Sequence, residues 1–240
     1  MELFAIADLH LSHGSNKPMD VFGAAWQDHV ARMAEAWDRC VGDDDLVLCP
    51  GDLSWALRLD EAAADLEWIA ARPGTKILGR GNHDYWWSSI GKVRAALPER
   101  CLALQNDAIV VGEWVIAGSR LWSQPGTSEF GPDDDKILRR EVQRLEMSLQ
   151  VGRQLAGASG SLIAAVHYPP FAPDGSCSAF TELLERYSVA LCVYGHLHGP
   201  AAHRTAVEGS RQGVHYRLVA SDHLEFTPLK ITTLAAGIPA

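Results

Sequence analysis

Short aliphatic runs alternate with stretches of helical period along the whole chain. Leu3–Ala7, Leu46–Cys49, Lys76–Leu78, Ala108–Val111, Trp114–Ala117, Leu162–Val166, Leu191–Tyr194, Tyr216–Ala220 and Phe226–Ile231 are strand-length runs, which predicts β-structure. Between them, Ala25–Cys40, Asp60–Ala71, Ser88–Leu97, Asp134–Leu155 and Ala179–Tyr187 read as helices. In the fourth helix Ile137, Leu138, Val142, Leu145 and Leu149 share one stripe. It lies behind an acidic start, Asp133-Asp134-Asp135, that suits the positive end of a helix dipole. Val110-Val111-Gly112-Glu113-Trp114 reads as a hairpin turn, so part of the sheet structure is expected to be antiparallel. Alternating strands and helices followed by a strand-rich last third predict a layered α/β sandwich. No repeat, low-complexity tract or linker interrupts the pattern, and residues 1–240 are expected to form a single domain.

Charge and cysteine usage narrow the partners. The formal net charge is −9, from 21 basic and 30 acidic residues. A protein that grips extended nucleic acid carries a basic face, because neutralising phosphates supplies most of its affinity. None is visible here, so a small phosphorylated substrate is expected instead. No apolar run approaches the roughly 18 residues of a membrane span. The N-terminus lacks the basic segment of a signal peptide. The five cysteines (Cys40, Cys49, Cys101, Cys177, Cys192) are scattered without CxxC spacing, as in the free thiols of a cytoplasmic protein.

The chemistry concentrates in polar clusters, most of them directly after a predicted strand: Asp8-Leu9-His10, Gly51-Asp52, Gly81-Asn82-His83-Asp84, His167 and Gly195-His196-Leu197-His198. Strand ends are where open α/β sheets bind ligands. A spacing of two in an extended chain turns both side chains of Asp8-x-His10, and of His196-x-His198, to one face. The glycines permit a sharp exit from the strand and close backbone approach. Imidazole and carboxylate without thiolate suits Mn²⁺, Fe or Zn²⁺ and disfavours Cu(I) or an iron–sulfur cluster. Only Asp8 and Asp52 are anionic, so two dications at such a site keep an excess of positive charge for a phosphate substrate. A metal pair about 3.5–4 Å apart lowers the pKa of water and clamps an in-line displacement at phosphorus.

This ordered series, running from residue 8 to residue 198, resembles the calcineurin-like metallophosphoesterase superfamily. The longer stretches Asp8-Leu9-His10-Leu11-Ser12, Gly51-Asp52-Leu53-Ser54-Trp55-Ala56, Gly81-Asn82-His83-Asp84-Tyr85-Trp86-Trp87 and His167-Tyr168-Pro169-Pro170 are similar to a group of uncharacterised bacterial predicted phosphohydrolases. The resemblance implies a four-layer αββα sandwich of two mixed sheets flanked by helices. It implies two divalent ions, Mn²⁺ first and Fe or Zn²⁺ as alternatives. Asp8, His10 and His198 would hold one ion, Asn82, His167 and His196 the other, and Asp52 would bridge them. His83 would contact the scissile phosphate and protonate the departing oxygen.

Protein phosphatases of this superfamily follow their second motif with an Asp-Arg pair, but Asp52 is followed by Leu53-Ser54-Trp55-Ala56. Phosphate contact is therefore sought at Arg80 and Arg120, and the Gly/Pro-rich loop 123–132 is a candidate lid. Asp84 is expected to cap the turn that follows it. His13, His29, His203, His215 and His223 lack paired spacing and are expected to be structural. Trp55, Trp86, Trp87 and Trp122 are expected as walls and core. The expected activity is hydrolysis of a small phosphomonoester or phosphodiester. The alternatives are a nuclease acting on short nucleic acid and a non-catalytic scaffold of the same fold. The complete set of ligands, with His83, counts against the scaffold.

Overall fold

The computed structural model describes residues 1–15, 17–157 and 160–231. Its strands are β1 (Leu3–Ala5), β2 (Leu46–Pro50), β3 (Thr75–Gly79), β4 (Cys101–Ala103), β5 (Ala108–Val111), β6 (Trp114–Ala117), β7 (Leu162–Val166), β8 (Leu191–Tyr194), β9 (Gly209–Arg211), β10 (Val214–Leu218) and β11 (Leu229–Lys230). The helices are α1 (His29–Cys40), α2 (Ala63–Ala70), α3 (Ile90–Ala96), α4 (Asp134–Ala156), α5 (Ala179–Arg186) and α6 (Gly199–His203). No helix among the described residues is long and apolar enough to cross a membrane.

The strands form two mixed sheets, β11-β1-β2-β3-β4 and β5-β6-β7-β8-β10-β9. β1 to β4 are parallel neighbours, as are β6, β7, β8 and β10, while β11, β5 and β9 run antiparallel at the edges. The hairpin closes where expected, with Val111 opposite Trp114. Central strands are buried on both faces, which is why they read as unbroken apolar runs. Alternate side chains then sort into different cores. Leu3, Ala5, Leu46 and Leu48 face Ile116, Ile163, Ala165, Leu191 and Val193 between the sheets. Phe4, Ile6, Val47 and Cys49 face outward onto Met33 and Trp37 of α1 and Leu66 and Ile69 of α2. Val115, Leu162, Ala164 and Cys192 face α4 and α5 through Leu145, Leu149, Phe180 and Leu184. The result is the expected order of helix, sheet, sheet, helix.

Several boundaries differ from the pattern for local reasons. The first strand ends at Ala5 because Ala7 leaves it to bridge Ala220, beyond β10, in parallel. The helix expected from Ala25 begins at His29, because Asp28 adopts a left-handed φ of 51° after a 3₁₀ turn at Ala24–Trp26. The strand expected over Phe226–Ile231 shrinks to Leu229–Lys230, since Glu225 and Phe226 both turn with positive φ. Edge strands β4 and β9 and the short α6 carry too little periodicity to be read in advance.

The Ala7 bridge matters for function. Ala7 N donates to Val219 O at 2.7 Å and Ser221 N donates to Ala7 O at 3.0 Å, so the exit of β1 is sewn to the opposite sheet. The C-terminal ends of β1 and β2 and those of β7, β8 and β10 are thereby held at one place.

α2 is anchored by a buried cation. Lys76 on β3 is inaccessible to solvent, and its Nζ donates to the carbonyls of Ala70 (3.1 Å), Arg72 (2.7 Å) and Gly74 (2.8 Å). It caps the negative end of the helix, where free carbonyls collect. Burial pushes its ammonium below the usual lysine pKa. Lys76→Met keeps the stem but leaves these carbonyls without their donor, and should cost about 1–3 kcal/mol in urea unfolding.

Candidate metal centre

The donors meet where the two sheets are sewn together. From the first sheet, the segments after β1, β2 and β3 carry Asp8 and His10, Asp52, and Asn82. From the second, the segments after β7 and β8 carry His167, and His196 with His198. Exposure is 0% for Asp8, 1% for Asp52, 2% for His10 and 1% for His167, so these groups cannot rely on bulk water.

Two subsets form around a shared carboxylate. In one, His10 Nε2 lies 3.3 Å from His198 Nε2 and 3.7 Å from Asp52 Oδ2, and His198 Nε2 lies 3.6 Å from Asp8 Oδ1. In the other, Asn82 Oδ1 lies 2.7 Å from His167 Nε2 and 3.0 Å from His196 Nδ1, with Asp52 Oδ2 3.5 Å from His167 Nε2. Neighbouring ligands of an ion bound at about 2.1 Å sit about 3 Å apart, so both subsets have the spacing a divalent cation requires.

The ring orientations fit as well. His167 Nδ1 donates to Pro50 O at 3.1 Å, which fixes the proton on that nitrogen and leaves Nε2 as an acceptor facing Asn82 and Asp52. His198 Nδ1 likewise faces Asp222 Oδ1 at 2.9 Å, so its Nε2 points at His10. Burial holds His10 and His167 far below the usual histidine pKa, as neutral rings. Burial also opposes protonation of His198, but Asp8 and Asp222 outweigh it and raise the group to about 10. Burial, then the neighbouring Asp84 and Asp8, raise Asp52. The raised Asp52 and His198 show that this cluster draws in positive charge, and its Asp and His donors suit a divalent ion.

Backbone strain accompanies the convergence. Asp8, His10, Asp52 and His196 have φ of 60°, 45°, 52° and 73°, a left-handed region costing non-glycine residues about 1–3 kcal/mol each. Main-chain bonds hold them there: Asp8 N donates to Gly51 O and His10 N to Asp52 O, both at 3.0 Å. His196 N donates to both oxygens of Asp8 at 3.0 and 3.1 Å. Two glycines leave the necessary room. A Cβ on Gly195 would lie 2.4 Å from Asp8 Oδ2, and one on Gly81 would lie 2.0 Å from Asp52 Oδ1.

A family model for calcineurin-like phosphoesterases matches residues 1–200. The chain belongs to that family. Over 78 residues it is 40% identical to the Gene 66 proteins of Mycobacterium phages L5 and D29. That match covers 32% of this chain and only 37% and 38% of the phage proteins, well under half their length. The fold is shared more widely. The phosphopantetheinyl hydrolase of Mycobacterium tuberculosis superposes with a TM-score of 0.54 at 16% identity, over 91% of this chain and 88% of its own. A protein of unknown function from Aquifex aeolicus gives 0.53 at 14% identity, over 98% of both chains.

In this calcineurin-like chain His83 lies half-buried beside the donors. Its ring centroid is 5.6 Å from that of His10 and 4.3 Å from that of Trp55, which also stacks on His10 at 4.9 Å. Burial, with His196 and His198, lowers its pKa. Trp55 is therefore a wall of the site, while Trp86 and Trp87 are core residues at 1% exposure. Arg80 and Arg120 are not gathered with the donors. With Glu141 and Arg144 they line a separate cleft of about 20 Å³, where Arg120 lies 3.6 Å from Glu141 and 4.4 Å from the Trp122 ring. Of the histidines expected to be structural, His203 lies at the edge of the site, its Nε2 3.3 Å from Asp222 Oδ2, and others take partners elsewhere. His13 bonds Asp65 at 2.8 Å, His215 faces Ser210 at 3.0 Å, and His223 lies 3.6 Å from Glu208.

Glu129 and Asp222 escaped the sequence reading, and Asp84 was read only as a turn cap. Asp84 is more than a turn cap. Its Oδ1 accepts from Leu53 N, Ser54 N and Trp86 Nε1, and its Oδ2 accepts from Gly81 N at 2.7 Å, which locks the Asp52 and Asn82 segments together. Glu129, on the candidate lid, places Oε2 3.5 Å from His196 Nε2. Asp222 holds His198 and also accepts from Gly199 N at 2.8 Å. Its signal was available, since it follows the strand predicted to end at Ala220 by two residues, much as the donors follow theirs. Partners that orient ligand imidazoles tune affinity. Asp222→Asn should weaken Mn²⁺ binding about 10–100-fold by calorimetry with an unchanged circular dichroism spectrum.

Proposed function

We propose that this chain hydrolyses a small phosphomonoester or phosphodiester at a centre of two divalent ions. The observation that carries this reading is the convergence of four imidazoles, an amide oxygen and two buried carboxylates into subsets that share Asp52. Asp8, His10 and His198 would hold one ion, Asn82, His167 and His196 the other, with Asp52 common to both. The thiolate-free set favours Mn²⁺, with Fe and Zn²⁺ as alternatives. When bound, such a pair supplies Lewis acidity toward phosphoryl oxygens and makes water nucleophilic near neutral pH. The similarly folded phosphopantetheinyl hydrolase supports hydrolytic chemistry on this scaffold.

The remaining work belongs to the protein. The buried neutral rings of His10 and His167 present lone pairs without competing protons. Only two carboxylates offset the positive charge, so a phosphate dianion is still attracted. His83, with Asp52 Oδ1 accepting from its backbone N–H at 2.8 Å, is fixed at the rim. There its imidazole delivers a proton to the departing oxygen, the phosphate charge offsetting the burial that otherwise keeps the ring neutral. The free state of Cys40, Cys49, Cys101, Cys177 and Cys192 fits a reducing cytoplasm.

Chelation should abolish release of nitrophenol from 4-nitrophenyl phosphate and bis(4-nitrophenyl) phosphate, and Mn²⁺ should restore it. His83→Ala should retain its metal by elemental analysis while kcat falls about 10²–10⁴-fold. Turnover equal to wild type would remove the acid role. A protein that binds no metal after reconstitution would return the scaffold reading.

A further inference from the structure

Beside the donors, the loop after β6 and the segments after β7 and β8 enclose a cavity of about 300 Å³. His196 belongs to both, and Tyr168 packs on its ring with centroids 4.2 Å apart. The walls are apolar and aromatic, with Trp122, Tyr168, Phe171, Tyr194, Leu197 and Val207 among them. No lysine or arginine is among the described residues that line it, and Glu129 supplies a carboxylate next to His196. Several wall donors are already used inside the protein. Tyr194 Oη donates to Val207 O at 2.9 Å, Thr205 Oγ1 to Ala202 O at 2.8 Å, and Trp122 Nε1 to Asp134 Oδ1 at 2.9 Å.

We propose that this cavity binds the organic group of the phosphate ester, and that this group is uncharged, apolar and about one ring in size. The proposal rests on the phosphoesterase reading and names the substrate class for that site. The volume lies at the low end of the roughly 300–1,000 Å³ of ligand pockets, enough for a ring or short chain. Aromatic walls offer a ring stacking area that an aliphatic cavity lacks. A second phosphate or a carboxylate on the substrate would meet Glu129 with no lysine or arginine in the described lining to pair it, which disfavours polyanionic leaving groups on this side.

Calorimetry on the Mn²⁺-loaded protein with non-hydrolysable phosphonates tests this. Phenylphosphonate should bind roughly tenfold tighter than methylphosphonate, less than the buried area alone suggests because immobilising the ligand opposes it. 4-Carboxyphenylphosphonate should bind weaker than the phenyl compound. Ala206→Phe narrows the cavity and should cancel the aryl advantage, with a thermal melt to check its fold. The phosphonate comparison is made on the wild-type protein, so a folding defect in the variant leaves it decisive. Equal affinity for the methyl and phenyl compounds, or tightest binding of the carboxy compound, overturns the cavity proposal alone. If the protein takes up no metal and no phosphonate binds, the phosphoesterase reading fails and this proposal falls with it.

Discussion

Asp8 and Asp52 are carboxylates that solvent does not reach, and they stand within one nest of imidazoles in which His10 Nε2 and His198 Nε2 face each other. Such a cluster is electrostatically costly in a dry interior unless positive charge joins it. The molecule meets that cost with rigid surroundings. Asp84 ties the Asp52 and Asn82 segments, Pro50 orients His167, and Asp222 orients His198. Around them the two sheets contribute parallel strands whose ends all open on the same side.

The strain in the ligand-bearing segments follows from that geometry. To turn from a strand end into a shared centre within one or two residues, Asp8, His10, Asp52 and His196 accept backbone angles that L-residues avoid. Gly81 and Gly195 then leave space for the carboxylates to press against neighbouring main chain. Preorganisation is purchased with local stability, and the ladders behind the site supply the stability.

Much of this was legible in the sequence because the motifs sit just past strand ends, although Asp8, His10 and His196 turn left-handed instead of keeping the extended conformation expected for their spacing. The pairs Asp8-x-His10 and His196-x-His198, and the glycine before Asp52, Asn82 and His196, announce side chains converging at strand ends. The central strands were legible because burial on both faces leaves them uniformly apolar. What escaped was long-range or one step removed from the donors. Asp222 meets His198 across 24 positions and Asp84 meets Leu53 across 31, contacts for which no local spacing exists. Arg80 and Arg120 illustrate the converse: position next to a motif suggested phosphate contact, but their side chains gather around Glu141. The short edge strands escaped for a third reason. Gly209-Ser210-Arg211 is short and its side chains carry no alternating signal.

The Ala7–Ala220 bridge joins the sheets where the donors sit, and the donors themselves are divided between the sheets. An ion held between His10 and His198, or between Asn82 and His196, is therefore a rivet through the sandwich as well as a reagent. Its binding energy adds to the cohesion of the two layers. The ion-free protein would then loosen first along the seam between the sheets, with each sheet and its helices still intact.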